Sequence, residues 1–185
     1  GKDWVKVKFP DDYRISLESG IIVFRDEFRN KYPYGNLLEF DTEKKEVAHY
    51  VRDYWVWGPG LQAEALPDGD YKVYEKDIRV TTGNTLVFGA AARLNPAFTL
   101  ERCDGFTLKD VNIWHCGGMG VIAQRSKDIE LNNVKVVPSP GKGRMISITA
   151  DATHFVNCKG FIRMIGCTFM NQKDDATNIH GWYAV

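Results

Sequence analysis

A pattern of hydrophobic positions repeats three times in the second half of the chain. Each row has apolar side chains at offsets of 0, 2, 5 and 7 residues, and the rows begin at Phe106, Ile129 and Ile162. Offsets of 0 and 2 place two side chains on one face of a strand, and offsets of 5 and 7 place two more on a second strand beyond a corner. The rows are Phe106, Leu108, Val111 and Ile113, then Ile129, Leu131, Val134 and Val136, then Ile162, Met164, Cys167 and Phe169.

The corners and the period of these rows predict how the units stack. Turn formers occupy the corner, Lys109-Asp110 in the first row and Asn132-Asn133 in the second. Successive rows begin 23 and 33 residues apart, and the longer step includes residues 138–143 (Pro-Ser-Pro-Gly-Lys-Gly), which predicts a loop. A unit of about two dozen residues cannot bury its apolar face alone, so units of this kind stack. The pattern therefore predicts a parallel β-helix, a solenoid, over residues 79–185.

A third strand is expected in each coil, shortly before the start of each row. Counting back seven residues aligns Gly118–Ile122 with Asp151–Phe155, and the next coil supplies Asp175–Ile179. The last two segments both begin Asp-Ala-Thr and lie 24 residues apart, which is one coil. Asp151 and Asp175 are therefore expected to be stacked neighbours, about 4.8 Å apart.

Residues 1–78 carry a different pattern, in which short alternating segments are separated by turn signals. The alternation predicts a small antiparallel sheet or barrel on the N-terminal side, so the whole chain is expected to be all-β. The alternating segments are residues 4–9, 20–24, 54–57 and 71–74. The turn signals are residues 10–12, 31–35, 58–60 and 67–69, and residues 41–46 are expected at the end of a hairpin.

Composition limits the classes of function. Lys+Arg and Asp+Glu both number 24, so the formal net charge is zero, which does not favour a nucleic-acid-binding surface. No apolar run is long enough to span a bilayer. The cysteines lack the Cys-x-x-Cys spacing of zinc motifs and are expected to be reduced and buried, with a disulfide as the alternative in an exported protein. They are Cys103, Cys116, Cys158 and Cys167.

Three carboxylates, Asp151, Asp174 and Asp175, come together in this arrangement. Like charges stacked on a sheet repel each other, so a purely structural protein has little reason to build such a cluster. A glycoside hydrolase needs one carboxyl group to protonate the leaving oxygen and a second to activate water or attack carbon. The alternatives are corner aspartates that hydrogen-bond the backbone and a Ca²⁺ site.

Polar and aromatic residues flank these carboxylates. We expect them to contact a sugar, by hydrogen bonds to hydroxyl groups or by stacking on the ring, and ordinary packing is the alternative for the histidines and the tryptophan. The expected substrate-binding residues are His154, Asn178, His180 and Trp182.

Two stretches of sequence, Asp151–Gly160 and Asn171–Gly181, resemble the family-110 glycoside hydrolases. These enzymes are α-1,3-galactosidases that remove terminal galactose from blood-group-B-type and related linear structures. The resemblance covers most of residues 79–185, and the first region is compatible with the small β-barrel of that family. It implies a right-handed parallel β-helix with a barrel, and inverting hydrolysis without a metal or other cofactor. It also implies a bacterial periplasmic or secreted location.

The resemblance further suggests that the catalytic aspartates fall on Asp151, Asp174 and Asp175. In a single displacement we expect Asp151 to act as the acid and the Asp174/Asp175 pair as the base. A similar layout in β-helical polygalacturonases places the acid within the pair instead. The competing functions are a polygalacturonase or pectate lyase on the same fold, and a β-helix module that binds carbohydrate without cleaving it.

Family members are much longer than 185 residues, and this chain stops at Val185 inside a coil. An open β-helix end exposes unpaired backbone and apolar core. The expectation is therefore a fragment whose open end meets the remainder of the β-helix or a homo-oligomeric neighbour. The expected substrate is a glycan with terminal α-galactose, and neither nucleic acid nor membrane is an expected partner.

Overall fold

The structure is a computed structural model that describes residues 3–32, 34–55, 60–90 and 93–182. It contains two compact units, Gly1–Ala91 and Ala92–Val185. The first unit is built from antiparallel sheets and the second from stacked parallel sheets, which confirms the predicted all-β fold class. The domain boundary predicted near residue 78 falls before this division, because the strand Thr85–Ala90 pairs with Tyr34–Asp41 of the first unit.

The strands of the first unit form three antiparallel sheets within the described residues. In chain order they are β1 (Trp4–Val7), β2 (Ile15–Glu18), β3 (Ile21–Arg25), β4 (Lys31–Tyr32), β5 (Tyr34–Asp41), β6 (Glu46–Val47), β7 (Tyr54–Trp55), β8 (Ala63–Ala65), β9 (Tyr71–Tyr74) and β10 (Thr85–Ala90). The sheet orders are β1-β9-β8, β2-β3-β4 and β10-β5-β6, and β7 pairs with β5. A core that includes Ile22, Leu37 and Val73, all fully buried, lies among them.

The predicted strands of the first unit are present in the structure. The four alternating segments lie on β1, β3, β7 and β9, although residues 56–59 fall outside the described part of the chain. The hairpin end is confirmed, since Asp41 pairs with Glu46 and its Oδ1 accepts hydrogen bonds from the backbone N–H of Glu43 and Lys44.

Four of the five residues of the turn predicted at residues 31–35 lie on strands, two on β4 and two on β5, and Pro33 falls outside the described part of the chain. The register between β5 and β10 pairs Asn36 with Gly89 and Tyr34 with Ala90, so Gly35 is the extra residue of a β-bulge. Glycine is a turn signal in sequence, but it also marks bulges inside strands. Short-range patterns do not separate these two uses.

The second unit consists of three parallel sheets that wind through successive coils. In chain order its strands are β11 (Phe98–Glu101), β12 (Asp104–Lys109), β13 (Asn112–Ile113), β14 (Val121–Gln124), β15 (Lys127–Asn132), β16 (Lys135–Val136), β17 (Thr153–Val156), β18 (Lys159–Ile165), β19 (Thr168–Phe169) and β20 (Thr177–His180). The sheets are β11-β14-β17-β20, β12-β15-β18 and β13-β16-β19. Each of the first three coils supplies one strand to each sheet, and β20 adds a strand of a fourth coil to the first sheet, which is the arrangement of a parallel β-helix.

The three hydrophobic rows stack in the predicted register. Phe106, Ile129 and Ile162 are partners in one sheet, and so are the residues two positions later in each row. The second row is the centre of the core, with all four of its side chains fully buried. The third row has a neighbouring coil on one side only within the described residues, and its Met164 is 36% exposed.

One of the two predicted alignments of the third strand, that of Gly118–Ile122 with Asp151–Phe155, is one residue out, whereas that of Asp151–Phe155 with Asp175–Ile179 is confirmed. Val121 pairs with Thr153, so Ile122 is the partner of His154 rather than of Phe155. The cause is a register shift in the neighbouring sheet, where two residues, Gly160 and Phe161, lie opposite Asp128. The predicted alignment counts seven residues back from Ile162, the start of the third row, and this count includes the extra residue. A one-residue slip exchanges the two faces of a strand, so the buried Ala123 stacks on the buried Phe155, and Ile122 lies beside His154 on the outer face.

The corners between strands depend on the left-handed backbone conformation. Asp110 and Asn133, both predicted corner residues, have φ values of 56° and 52°, and Gly166 has 59° at the same place in the third coil. The Nδ2 group of Asn133 donates to Oδ1 of Asp110 at 2.7 Å. Aspartate and asparagine tolerate this conformation better than other non-glycine residues, so they suit the corner.

The four cysteines are free thiols, as predicted, but each is partly buried rather than fully buried. Burial raises the pKa of the Cys116 thiol, whose Sγ lies 3.3 Å from the carbonyl oxygen of Met119. Among the residues that the structure describes, no helix has the length and apolarity needed to cross a bilayer.

Replacing Gly160 should destabilise the chain more than replacing Gly166. Both have positive φ, which costs an L-residue about 1–2 kcal/mol. A Cβ at Gly166 meets nothing within 4 Å, whereas one at Gly160 lies 1.9 Å from Oδ1 of Asp128. Asp128 must then move and lose its hydrogen bond from the Phe161 N–H, which adds about 1 kcal/mol. Urea unfolding of Gly160→Ala and Gly166→Ala measures the difference, and equal losses would contradict it.

Candidate active site

The predicted acidic residues lie at one edge of the β11-β14-β17-β20 sheet. Asp151 precedes β17, and Asp174 and Asp175 precede the neighbouring β20. The register pairs Thr153 with Thr177, and the N–H of Ala152 donates to the carbonyl of Asp175 at 2.9 Å. Asp151 and Asp175 therefore occupy equivalent positions in successive coils, as the shared Asp-Ala-Thr segments predict.

Asp151 is a buried carboxylate with two cationic or potentially cationic neighbours. The residue is only 2% exposed. Its Oδ2 lies 2.5 Å from Nδ1 of His154, and its Oδ1 lies 3.7 Å from Nη1 of Arg93. Burying a carboxylate is unfavourable unless it is paired and hydrogen-bonded, and both conditions hold here.

Arg93 joins two of the three predicted carboxylates. Its Nη2 makes an ion pair with Oδ2 of Asp174, while Nη1 faces Asp151. A guanidinium has donors in a fixed plane and stays charged, so it reduces the repulsion between the two acidic groups. Arg93 was not predicted from the sequence. It lies 58 residues before Asp151 in the chain, outside every repeated row, and no local signal connects it to the site.

Asp175 is more exposed than Asp151 and has a different set of contacts. Its backbone N–H donates to Oδ1 of Asp174 at 3.1 Å. Its own Oδ2 accepts a hydrogen bond of 3.3 Å from Nδ2 of Asn178. Asp174 is thus held by Arg93 and by a backbone N–H, whereas the carboxylate of Asp175 is held by a neutral amide.

The two predicted histidines contact each other as well as the acidic cluster. Nε2 of His154 lies 3.0 Å from Nε2 of His180, and the rings meet edge to face. Both ring nitrogens of His154 therefore have protein partners, one from Asp151 and one from His180. His180 lies at the exposed end of this chain of contacts.

Trp182 is 76% exposed, and its backbone N–H donates to Oδ1 of Asn157 at 2.6 Å. The backbone anchor fixes the residue after β20, while the indole stays open to solvent. Among the described residues the indole packs into no core, which was the alternative considered for this tryptophan. A role in sugar stacking stays a prediction.

Gly120 fixes the approach of the first coil to Asp151. Its N–H donates to the carbonyl of Asp151 at 3.0 Å. A Cβ at this position would lie 2.5 Å from the carbonyl oxygen of Ala152, so only glycine fits. The backbone on both sides of Asp151 is thereby held by the coil before it and the coil after it.

Within the ranges that the structure describes, no group of three or more His, Cys, Asp or Glu side chains has an arrangement suited to a metal ion. The arrangement that is present consists of two carboxylates linked by one guanidinium, with a third carboxylate beside them. Such a set provides groups that donate and accept protons, which is what acid–base hydrolysis requires.

Comparison with known proteins shows which proteins the chain is similar to. Residues 1–86 match the family model described as GLAA-B beta-barrel domain I. Alpha-1,3-galactosidase A of Shewanella woodyi is 36% identical over 195 residues, which cover 99% of this chain and 30% of that protein. The chain is homologous to the α-1,3-galactosidases of family 110. The resemblance inferred from the two motifs is therefore confirmed.

Other members of the group are similar over most of the chain. Alpha-1,3-galactosidase B of Bacteroides fragilis is 30% identical over 93% of the chain and 29% of that protein. Alpha-1,3-galactosidase B of Bacteroides thetaiotaomicron is 31% identical over 78% of the chain and 24% of that protein. The chain thus spans 30% or less of the length of these curated relatives.

Removing Arg93 should destabilise the chain more than removing the charge of Asp174. Arg93→Gln leaves the buried Asp151 carboxylate with His154 alone, and we expect a loss of about 2 kcal/mol, below the ~3–5 kcal/mol seen when a buried charge loses its only partner. Asp174→Asn breaks only a partly exposed pair, worth under about 1 kcal/mol. Urea unfolding at neutral pH measures both. Equal losses would show that Arg93 does not compensate Asp151.

Proposed function

We propose that this chain carries the acidic centre of a glycoside hydrolase that releases terminal α-1,3-linked galactose with inversion. Homology to the α-1,3-galactosidases supports the reaction class. The observation that carries the site is the linkage of Asp151 and Asp174 through Arg93, with Asp175 one coil beyond Asp151. The proposed substrate is a glycan with a terminal α-galactose, and no metal or other cofactor takes part.

The proposed reaction is a single displacement that uses two carboxyl groups. One protonates the glycosidic oxygen, while the other removes a proton from the water that attacks the anomeric carbon from the opposite face. Asp151 provides one of these groups, and the Asp174/Asp175 pair provides the other. Arg93 separates the two sides, because a guanidinium lies between the Asp151 and Asp174 carboxylates. Trp182, exposed beside β20, is the proposed stacking surface for a sugar ring.

Asp→Asn substitutions test the three carboxyl groups separately. The chain spans only 30% of the length of the Shewanella woodyi enzyme. Activity is therefore measured both for the chain and for a chimera in which the chain replaces the matched segment of that enzyme. Loss of a general acid or base lowers the rate by about 10²- to 10⁴-fold. We expect losses of this size in Asp151→Asn and Asp174→Asn or Asp175→Asn, measured as galactose released from an α-1,3-galactobioside.

The matched control is Asp110→Asn, which changes a corner aspartate whose contact to Asn133 an amide can also make. It should keep full activity. Galactose release by neither the folded chain nor the folded chimera would contradict the function, and full activity in all three site variants would contradict the site.

The leaving group of the substrate distinguishes the acid from the base. A variant that lacks the acid should keep most of its activity on an α-galactoside with a highly acidic phenol as leaving group, because such a phenolate departs without protonation. A variant that lacks the base should lose activity on both substrates and regain it with azide, giving β-galactosyl azide. Azide products of α configuration would contradict inversion.

A further inference from the structure

A hydrogen-bond donor three residues after each aspartate occurs in two successive coils. Nδ1 of His154 lies 2.5 Å from Oδ2 of Asp151, and Nδ2 of Asn178 donates to Oδ2 of Asp175 at 3.3 Å. His154 and Asn178 are register partners on neighbouring strands. One oxygen of each carboxylate is therefore held by the same position of the coil. Histidine Nδ1 and asparagine Nδ2 lie at equivalent distances from their backbones, so either residue can supply the donor.

His180 completes the contact in the first of these coils. Two imidazole nitrogens 3.0 Å apart need one N–H and one lone pair between them. With its N–H on Nδ1 facing the Asp151 carboxylate, His154 presents a lone pair at Nε2. His180 must then donate its Nε2–H, which fixes the tautomer of His154.

The arrangement leaves one oxygen of Asp151 directed at the rest of the acidic cluster. Oδ2 is taken by His154, whereas Oδ1 faces Arg93 at 3.7 Å, and Arg93 pairs with Asp174. The charged or titratable groups around His154 are thus Asp151, with Arg93 behind it, and His180. A carboxylate held through one oxygen has a fixed plane, so its other oxygen has a fixed direction.

We infer that His154 and Asn178 are positioning residues that orient Asp151 and Asp175, and that His180 fixes the tautomer of His154. This inference rests on the proposed function and replaces the direct sugar contacts expected for these three residues. His154 has both ring nitrogens occupied by protein groups, so a sugar hydroxyl would have to displace one of them. Catalysis depends on such alignment, because small displacements of an acid or base lower the rate.

Two amide substitutions of His154, which differ in side-chain length, distinguish a positioning role from direct sugar binding. In the chimera described above, His154→Asn keeps a donor near the place of Nδ1, whereas His154→Gln moves it to the place of Nε2. We expect His154→Asn to keep kcat within about threefold and His154→Gln to lose about tenfold or more, part of the ~10²- to 10⁴-fold supplied by a positioned acid or base. KM for the galactobioside should be unchanged in both.

His180→Gln keeps a donor that reaches Nε2 of His154, whereas His180→Ala removes it, so only the alanine variant should lose kcat. His115→Gln is the matched control, since His115 contacts Ser147 and Arg144 outside the site. Equal kcat in His154→Asn and His154→Gln, or a rise in KM with unchanged kcat, would overturn the inference.

A measurement without turnover tests the tautomer. In the ¹⁵N-labelled 185-residue chain at neutral pH, His154 should carry its proton on Nδ1, and a scalar coupling should connect the Nε2 atoms of His154 and His180. His180→Ala should abolish the coupling. A proton on Nε2 of His154 in the wild-type chain would overturn the inference whether or not galactose is released. Conversely, the expected tautomer without galactose release by the folded chain or the folded chimera would leave the hydrogen bonds in place and refute the proposed function.

Discussion

In-register stacking of parallel strands is the constraint on which the second unit depends. Each coil places its residues about 4.8 Å from the equivalent residues of the next coil, so a side chain of an inner coil has a fixed partner above and below. For apolar rows this is favourable, and Ile129, Leu131 and their row partners form the core. For acidic residues it brings like charges together, and the molecule has to compensate them.

The charges of the two stacked aspartates are compensated differently, so the two carboxyl groups have unequal surroundings. Asp151 is buried and contacts an arginine and a histidine, whereas Asp175 is exposed and contacts an amide. Asp174 shares Arg93 with Asp151. Carboxyl groups that are adjacent but differ in surroundings are suited to different roles in proton transfer. The period of the coil creates the proximity, and the neighbours of each carboxylate create the asymmetry.

The features that depend on repetition were predictable from the sequence. The hydrophobic rows, the corners at Asp110 and Asn133 and the one-coil spacing of Asp151 and Asp175 follow from regular offsets, and the structure has them in the predicted places. The features that interrupt a period were not predictable. Gly35 and Gly160 each add one residue to a strand, and the sequence does not distinguish a glycine in a bulge from a glycine in a turn. Arg93 was missed for a related reason, because its partners are close only after the coils have stacked.

The extra residue at Gly160 affects the geometry of the whole third coil. From the second coil to the third, the step is 32 residues in the sheet that carries Asp151 but 33 in the sheets that carry the hydrophobic rows. The extra residue of the bulge accounts for the difference of one residue between these sheets. With this extra residue, the sheet that carries Asp151 keeps His154 on its outer face, and the next sheet keeps the alternation of inward and outward residues in its apolar row. An acidic site and an apolar core therefore share one coil.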